Sequence, residues 1–165
     1  MIDVISVLIS ATKPSVVSVW TWAIADYEVE CFEKFMSDKD ISGGLLVIDR
    51  AAENRNAEII QRWRDRFGDE SVKVCQNHAK ISTVEGQGLK FLARGSMNLN
   101  CNPRFEQLDI TEGGEDFDLV RKIEGELKVL RAKCDYGESA RNSQVGKAFE
   151  KSELELFKGI KTWRK

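Results

Sequence analysis

Apolar residues recur along the chain at two different spacings, and these spacings predict alternating helices and strands. The first ten residues carry isoleucine and leucine at helical spacing, which predicts a short amphipathic helix. The β-branched and aromatic run from Val16 to Trp22 is typical of a buried strand, and a helix is expected after Asp26 as its N-cap. By the same reasoning we expect strands at Leu45–Ile48 (after Gly43 and Gly44 break the chain), Val72–Cys75, Ala79–Val84, Leu89–Ala93 and Phe105–Ile110, and helices at Asp49–Phe67 and Glu115–Cys134.

The order of these elements predicts an α/β fold. The strands Ala79–Val84 and Leu89–Ala93 are joined by Glu85-Gly86-Gln87-Gly88, a connection typical of a hairpin. A chain of 165 residues is long enough for one domain with its own hydrophobic core. We assign residues 1–134 to this domain, and residues 135–165 to a polar, lysine-rich extension with one amphipathic segment that could form a helix.

Composition and charge restrict the function less than the motifs do. The formal net charge of −2 gives no overall case for nucleic-acid binding, although it leaves room for a local basic cleft. The four cysteines have no paired zinc-type spacing and there is one histidine, so we expect no metal site. No apolar run reaches about 18 residues, and no basic residue precedes the apolar N-terminal stretch. We therefore expect a cytoplasmic protein with reduced thiols and no membrane span.

Two short segments combine residues that are able to carry chemistry. In Asn77-His78-Ala79-Lys80, the side chains of His78 and Lys80 are two positions apart on extended backbone and project to the same side. The second segment, Gly95-Ser96-Met97-Asn98, follows a predicted strand and offers backbone N–H groups, a hydroxyl and an amide to an anion. The predicted hairpin would set the two segments side by side. Together they supply an imidazole, a cation and neutral donors, the groups that phosphoryl transfer without a metal requires.

This pattern, His-x-Lys followed by a hairpin and Gly-Ser-x-Asn, resembles the signature of the phospholipase D superfamily. The family places an aspartate five residues after the lysine, where this chain has Glu85, and the span from there to Gly95 is longer than usual. The segments 11–24 and 45–49 also resemble the family's first two strands. The resemblance implies a phospholipase D-like αβα sandwich, with a mixed central sheet flanked by helices.

The resemblance also implies a mechanism. A family member is a metal-independent phosphodiesterase without a cofactor, in which a histidine, here His78, attacks phosphorus and forms a phosphohistidine. Lys80, Ser96 and Asn98 match the residues that hold the phosphate, Glu85 matches a mainly structural acidic residue, and Glu106 looks like the acidic residue that orients the histidine. Two histidines act together in the family and this chain has one. The resemblance therefore implies a homodimer with both copies of His78 at the interface, as in small bacterial nucleases of the family.

Three residues that flank the motif are candidates for substrate binding: Trp22, Arg94 and Arg104. An aromatic ring at a strand end could stack on a base or pack in the core, and the arginines could contact phosphates or water. A nucleic acid is the expected substrate, which makes a nuclease the preferred function. Two alternatives remain open, a phospholipase D-like nucleic-acid-binding module with little or no catalysis, and a phospholipid hydrolase.

Overall fold

A computed structural model describes residues 1–100 and 105–127, which form six strands and five α-helices. The strands are β1 (Ser15–Thr21), β2 (Ile41–Asp49), β3 (Val72–Cys75), β4 (Ile81–Gly86), β5 (Leu89–Gly95) and β6 (Leu108–Glu112). The helices are α1 (Ile2–Thr12), α2 (Asp26–Ser37), α3 (Arg50–Arg55), α4 (Ala57–Phe67) and α5 (Glu115–Glu126), and a short 3-10 turn spans Asp69–Ser71.

The strands form one mixed sheet in the order β3-β2-β1-β4-β5-β6. Strands β1, β2 and β3 are parallel, whereas β4, β5 and β6 each run antiparallel to the preceding neighbour in the sheet. The carboxyl ends of β1, β2, β3 and β5 therefore meet the starts of β4 and β6 at the same edge of the sheet. The α/β class with a mixed central sheet is confirmed.

Helices pack on both faces of the sheet. The first face carries α1. Ser82 of β4, which is paired with Val19 of β1, contacts the sulfur of Met1 on this face through its hydroxyl at 3.7 Å, and Met1 directly precedes α1. On the opposite face, Glu124 of α5 accepts hydrogen bonds from Ser18 and Trp20 of β1. Because successive residues of a strand point to opposite faces, β1 is covered from both sides.

The glycine pair of β2 serves the packing of α4. Both Gly43 and Gly44 lie inside β2, so the expectation that they precede this strand is wrong. A Cβ atom on Gly44 would lie 3.1 Å from the ring of Phe67 and 3.2 Å from Trp63. The missing side chain therefore lets these two rings of α4, whose centroids are 4.6 Å apart, approach the strand directly.

The N-terminal helix, the first and third strands and the hairpin agree with the sequence predictions. In α1, Ile5, Leu8 and Ile9 are buried, as their helical spacing requires. The β4–β5 hairpin turns at Gln87 and Gly88, with φ angles of 50° and 80°. Two consecutive positive φ values match the twist of the flanking strands, which explains the glycine in this connection.

Other predicted boundaries differ from the structure, among them those of β4, which spans Ile81–Gly86 instead of Ala79–Val84. Asp26 is the first residue of α2 rather than its N-cap, and its carboxylate pairs with Arg62. The helix expected at Asp49–Phe67 is two helices, α3 and α4, which are separated at Asn56. Strand β6 begins at Leu108 rather than Phe105, and α5 ends at Glu126 because Leu127 has extended backbone. The rest of the predicted helix, residues 128–134, and the predicted extension, residues 135–165, lie outside the described residues.

A buried polar network, here called the Glu124 network, joins α5 to the sheet. The Glu124 side chain is 3% exposed. Its Oε1 accepts hydrogen bonds from the Ser18 hydroxyl and, at 2.8 Å, from the Trp20 indole, and its Oε2 accepts one from Arg121 at 2.5 Å. Since Ser18 donates its one proton to Glu124, the Thr83 hydroxyl donates to Ser18 at 2.6 Å. Every buried polar atom in this network has a partner inside the protein.

Within residues 1–100 and 105–127, the structure contains no helix that is both long and apolar enough to cross a membrane.

Candidate active site

Both segments of the sequence motif lie at the sheet edge where the parallel strands end. The segment that contains His78 links the end of β3 to the start of β4, and Ser96 and Asn98 directly follow β5. The backbone N–H of Gly95 donates to the carbonyl of Lys80 at 3.0 Å, which brings the two segments together as the hairpin predicts. In open α/β sheets, ligands bind outside the carboxyl ends of parallel strands, where the strand order changes direction.

Asn77 holds the loop that presents His78. The Asn77 side chain is buried, and its amide donates to the carbonyls of Thr21 at 3.1 Å and Val47 at 3.2 Å. Its Oδ1 accepts from the backbone N–H of Ala79 at 2.9 Å, which fixes the backbone on the far side of His78. The imidazole therefore projects from a segment whose backbone is tied to β1 and β2.

Asp49 connects the same loop to α3. One carboxylate oxygen caps α3 by accepting from Ala51 at 2.8 Å, and the other accepts from the backbone N–H of Asn77 at 3.1 Å. A single side chain thus positions both the first turn of α3 and the residue before His78.

His78 and Lys80 lie in direct contact. The ammonium nitrogen of Lys80 is 3.0 Å from Nδ1 of His78 and donates to the His78 carbonyl at 2.6 Å. Because an ammonium group has no lone pair, Nδ1 accepts this hydrogen bond when Lys80 is charged, and the neutral imidazole then carries its proton on Nε2. The His78 side chain is exposed, so Nε2 is free to face a ligand.

Lys80 is a buried cation without a carboxylate partner. It is 8% exposed, and no carboxylate of the described residues lies within ion-pair distance of its ammonium. Burial lowers the pKa of Lys80, and the charge of nearby Glu106 opposes that shift. A buried ammonium that lacks an ion pair is costly, so an anion bound here would stabilise the site.

Ser96 contacts Glu106 rather than His78. The Ser96 hydroxyl donates to Glu106 Oε2 and accepts from the backbone N–H of Gln107 at 2.9 Å. A Cβ atom on Gly95 would lie 2.2 Å from the Gln107 carbonyl oxygen, so glycine is required for this approach of β6 to β5. In this structure Glu106 bonds to Ser96 and not to the imidazole, so its role in orienting His78 stays a prediction.

Asn98 and Trp22 complete the site from the end of β1. Asn98 Oδ1 accepts from the Trp22 backbone N–H at 3.2 Å, which leaves the amide nitrogen of Asn98 without a partner among the described residues. The Thr21 hydroxyl accepts from Leu99 at 2.9 Å and ties the same segment to β1. The half-exposed Trp22 ring lies 6.0 Å from the His78 ring, measured between centroids.

Two of the predicted site residues, Glu85 and Arg94, are not in this cluster. Glu85 lies near the far end of β4, roughly 16 Å from Lys80 along the extended strand, and its cross-strand neighbour is Lys90. Arg94 pairs with Asp109 at 2.8 Å and with Asp116 at 2.6 Å, so its guanidinium is engaged by carboxylates. Glu85 therefore does not contact His78 or Lys80, and the structural role that the resemblance implies for it stays a prediction. Arg104 lies outside the described residues.

The two residues that position the histidine were not predicted from the sequence, although both carry a local sequence signal. Asn77 directly precedes His78, and asparagine commonly bonds to backbone two residues ahead. Asp49 lies between a predicted strand and a predicted helix, the usual place of an N-cap. The hydrogen bonds that fix the Asn77 side chain, to the carbonyls of Thr21 and Val47, join positions far apart in the chain. No pattern in the neighbouring sequence predicts them.

Among the residues that the structure describes, no three or more histidine, cysteine, aspartate or glutamate side chains gather in a way that could hold a metal ion. Cys31 and Cys75 are free thiols, and burial raises the pKa of Cys75 to about 11.

No protein-family model matches the chain, and no curated protein sequence is significantly similar to it.

Proposed function

We propose that this protein is a phospholipase D-type phosphodiesterase that cleaves nucleic acid through a phosphohistidine on His78. The observation that carries the proposal is the buried ammonium of Lys80, 3.0 Å from the exposed imidazole and without a carboxylate partner among the described residues. Such a pair suits a phosphodiester, whose charge would neutralise the lysine while its phosphorus faces the nucleophile.

The proposed reaction begins with a change of hydrogen bonds at the imidazole. A bound phosphodiester attracts the Lys80 ammonium to its oxygens and so releases Nδ1 of His78. The imidazole proton can then reside on Nδ1, which leaves the Nε2 lone pair free to attack phosphorus. The free amide nitrogen of Asn98 is the second donor available to the phosphate oxygens.

Attack forms the nitrogen–phosphorus bond and breaks the bond from phosphorus to the leaving oxygen. That oxygen takes a proton from Nε2 of the partner's His78, which acts in this step as the imidazolium and becomes a neutral imidazole. Water then attacks phosphorus, passes a proton to the same imidazole and releases His78. The sequence needs a second histidine, and because this chain has one, we propose a homodimer in which both copies meet.

An exposed apolar strip next to the site supports the dimer. Phe105, Leu108 and Ile110 are all exposed, and the strip begins at the residue before Glu106. Strand β6 is also an edge strand of the sheet that residues 1–100 and 105–127 form. Apolar residues on an unpaired edge are typical of a surface that another chain covers.

Activity against bis(4-nitrophenyl) phosphate and a fluorescent oligonucleotide, measured with EDTA present, tests the chemistry. We expect turnover by the wild type and a loss of at least about 10³-fold in His78→Ala. After reaction with a labelled substrate, an acid quench should break the nitrogen–phosphorus bond of the phosphohistidine and release the label from the protein. An alkaline quench should leave the label attached. No turnover by the wild type, or full turnover by His78→Ala, would contradict the proposal. Oligonucleotide binding without turnover would favour a binding module, and turnover confined to a phospholipid would favour a lipid hydrolase.

A mixing experiment tests the shared site. Wild type and His78→Ala chains are refolded together in varying ratios, with the total concentration held constant. If each reaction uses both histidines, activity falls with the square of the wild-type fraction. A linear decrease would show that each chain works alone.

A further inference from the structure

Arg55 differs from its neighbouring arginines in what it contacts. Arg62, Arg64, Arg94 and Arg121 each pair with a carboxylate. In the described part of the chain, the partner of the Arg55 guanidinium is the ring of Trp22, whose centroid is 4.7 Å from Cζ, and no carboxylate lies within ion-pair distance. Arg55 is exposed, so its N–H donors remain available to a ligand.

The position of Arg55 is fixed relative to His78. Arg55 is the last residue of α3, whose first turn is capped by Asp49, and the same carboxylate holds the backbone of Asn77. The Trp22 ring is near both groups, with its centroid 6.0 Å from that of the imidazole and 4.7 Å from Cζ of Arg55. These contacts limit the distance between Arg55 and His78 to about 11 Å.

We propose that Arg55 and Trp22 form a binding site for the nucleotide next to the scissile phosphate. In this arrangement the scissile phosphodiester lies at His78 and Lys80, the neighbouring phosphate of the same strand binds the Arg55 guanidinium, and the base packs on the exposed part of the indole. Arginine presents a planar set of donors that matches phosphate oxygens, and stacking on an aromatic ring holds that plane in one orientation. Because the base must be free to reach the indole, the site selects an unpaired strand.

This inference rests on the proposed function, and substrates that differ in one feature separate the two. Bis(4-nitrophenyl) phosphate has one phosphodiester and no neighbouring phosphate. A single-stranded oligothymidylate has both a neighbouring phosphate and a base, and its abasic analogue has the phosphate alone. Arg55→Ala and Trp22→Leu are the test variants. Arg66→Ala is the matched control, because Arg66 is an exposed arginine of α4 that bonds to Ser37.

We expect Arg55→Ala to lower kcat/KM on the oligothymidylate and on its abasic analogue by about 10- to 100-fold, with less than a twofold change on bis(4-nitrophenyl) phosphate. Trp22→Leu should lower kcat/KM on the oligothymidylate more than on the abasic analogue. An equal loss by Arg55→Ala on all three substrates, or an effect no larger than that of Arg66→Ala, would overturn the inference.

Binding to the same oligothymidylate, measured by fluorescence anisotropy in the His78→Ala background, gives a result that does not depend on turnover. Removal of Arg55 should weaken binding and make the slope of log Kd against log salt shallower by about 0.7, the value for one phosphate contact on a single strand. An unchanged slope would contradict the phosphate contact. If the wild type binds without turnover, the proposed chemistry fails, and this measurement still decides the role of Arg55.

Discussion

Two clusters of polar side chains lie around β1, and they differ in how completely their hydrogen bonds are satisfied. In the Glu124 network, both carboxylate oxygens of the buried glutamate have donors inside the protein. In the cluster around His78, the Lys80 ammonium lacks a carboxylate and the Asn98 amide nitrogen lacks a partner among the described residues. A satisfied network stabilises the fold, whereas one with unused donors is suited to a ligand. The unused donors are therefore the feature that marks the cluster around His78, and not the Glu124 network, as the candidate site.

The largest effect on stability is expected from breaking the satisfied cluster. Glu124→Ala would leave the Ser18 hydroxyl and the Trp20 indole buried without an acceptor, and should lower the free energy of unfolding by about 2–4 kcal/mol. Urea unfolding measures the change. The exposed Glu126 of the same helix is the matched control, and Glu126→Ala should change stability by less than about 0.5 kcal/mol. Turnover per folded molecule should stay at the wild-type level, and a large loss of turnover would contradict the division of roles.

Asn77 links the two kinds of cluster, because its hydrogen bonds are satisfied inside the protein and yet it holds the loop that presents His78. Asn77→Ala removes three hydrogen bonds, to Thr21, Val47 and Ala79, and should cost about 1–3 kcal/mol of stability. It should also lower kcat by about tenfold, since the imidazole loses its fixed position. Urea unfolding and steady-state kinetics give the two values. A loss of stability with unchanged kcat would show that the loop keeps its conformation without Asn77.

Lys80 should show the opposite behaviour to Glu124. Burial lowers its pKa in the folded state, so the charged lysine destabilises the fold at neutral pH. As pH rises through the folded pKa toward the unfolded value of 10.5, this penalty disappears. Lys80→Met should therefore be at least as stable as wild type near pH 7, with an advantage that shrinks at alkaline pH. Thermal unfolding between pH 7 and 10 tests this, and a variant less stable than wild type at pH 7 would contradict it.

The smallest effect is expected at Glu85. Its side chain lies near the far end of β4 from His78 and is partly exposed. Glu85→Gln should change kcat/KM by less than about twofold and stability by less than about 0.5 kcal/mol. A tenfold loss of activity would show that the sequence motif, rather than the geometry, identifies the catalytic group.

The sequence predicted the order of elements better than it predicted the neighbours of each site residue. Helical and alternating spacings are local, so α1, β1 and the β4–β5 hairpin were predictable, and the hairpin alone brings Lys80 to Gly95. The distance of Glu85 from His78 was not predictable from its spacing to the lysine, because that spacing does not reveal where β4 ends. Arg55 and Glu124 were missed because their partners, Trp22 and the polar residues of β1, are distant in the chain and give no local pattern.

The close approach at Gly95 has a consequence for recognising distant relatives. A side chain there would collide with the Gln107 carbonyl and separate β6 from β5. The hydrogen bond between Ser96 and Glu106 therefore requires a residue without a Cβ atom at position 95. We expect substitutions at this glycine to be eliminated during divergence, whereas position 85 can drift. A search pattern built on His78, Lys80 and Gly95 should therefore retrieve proteins with this site that a pattern requiring an acidic residue at position 85 would reject.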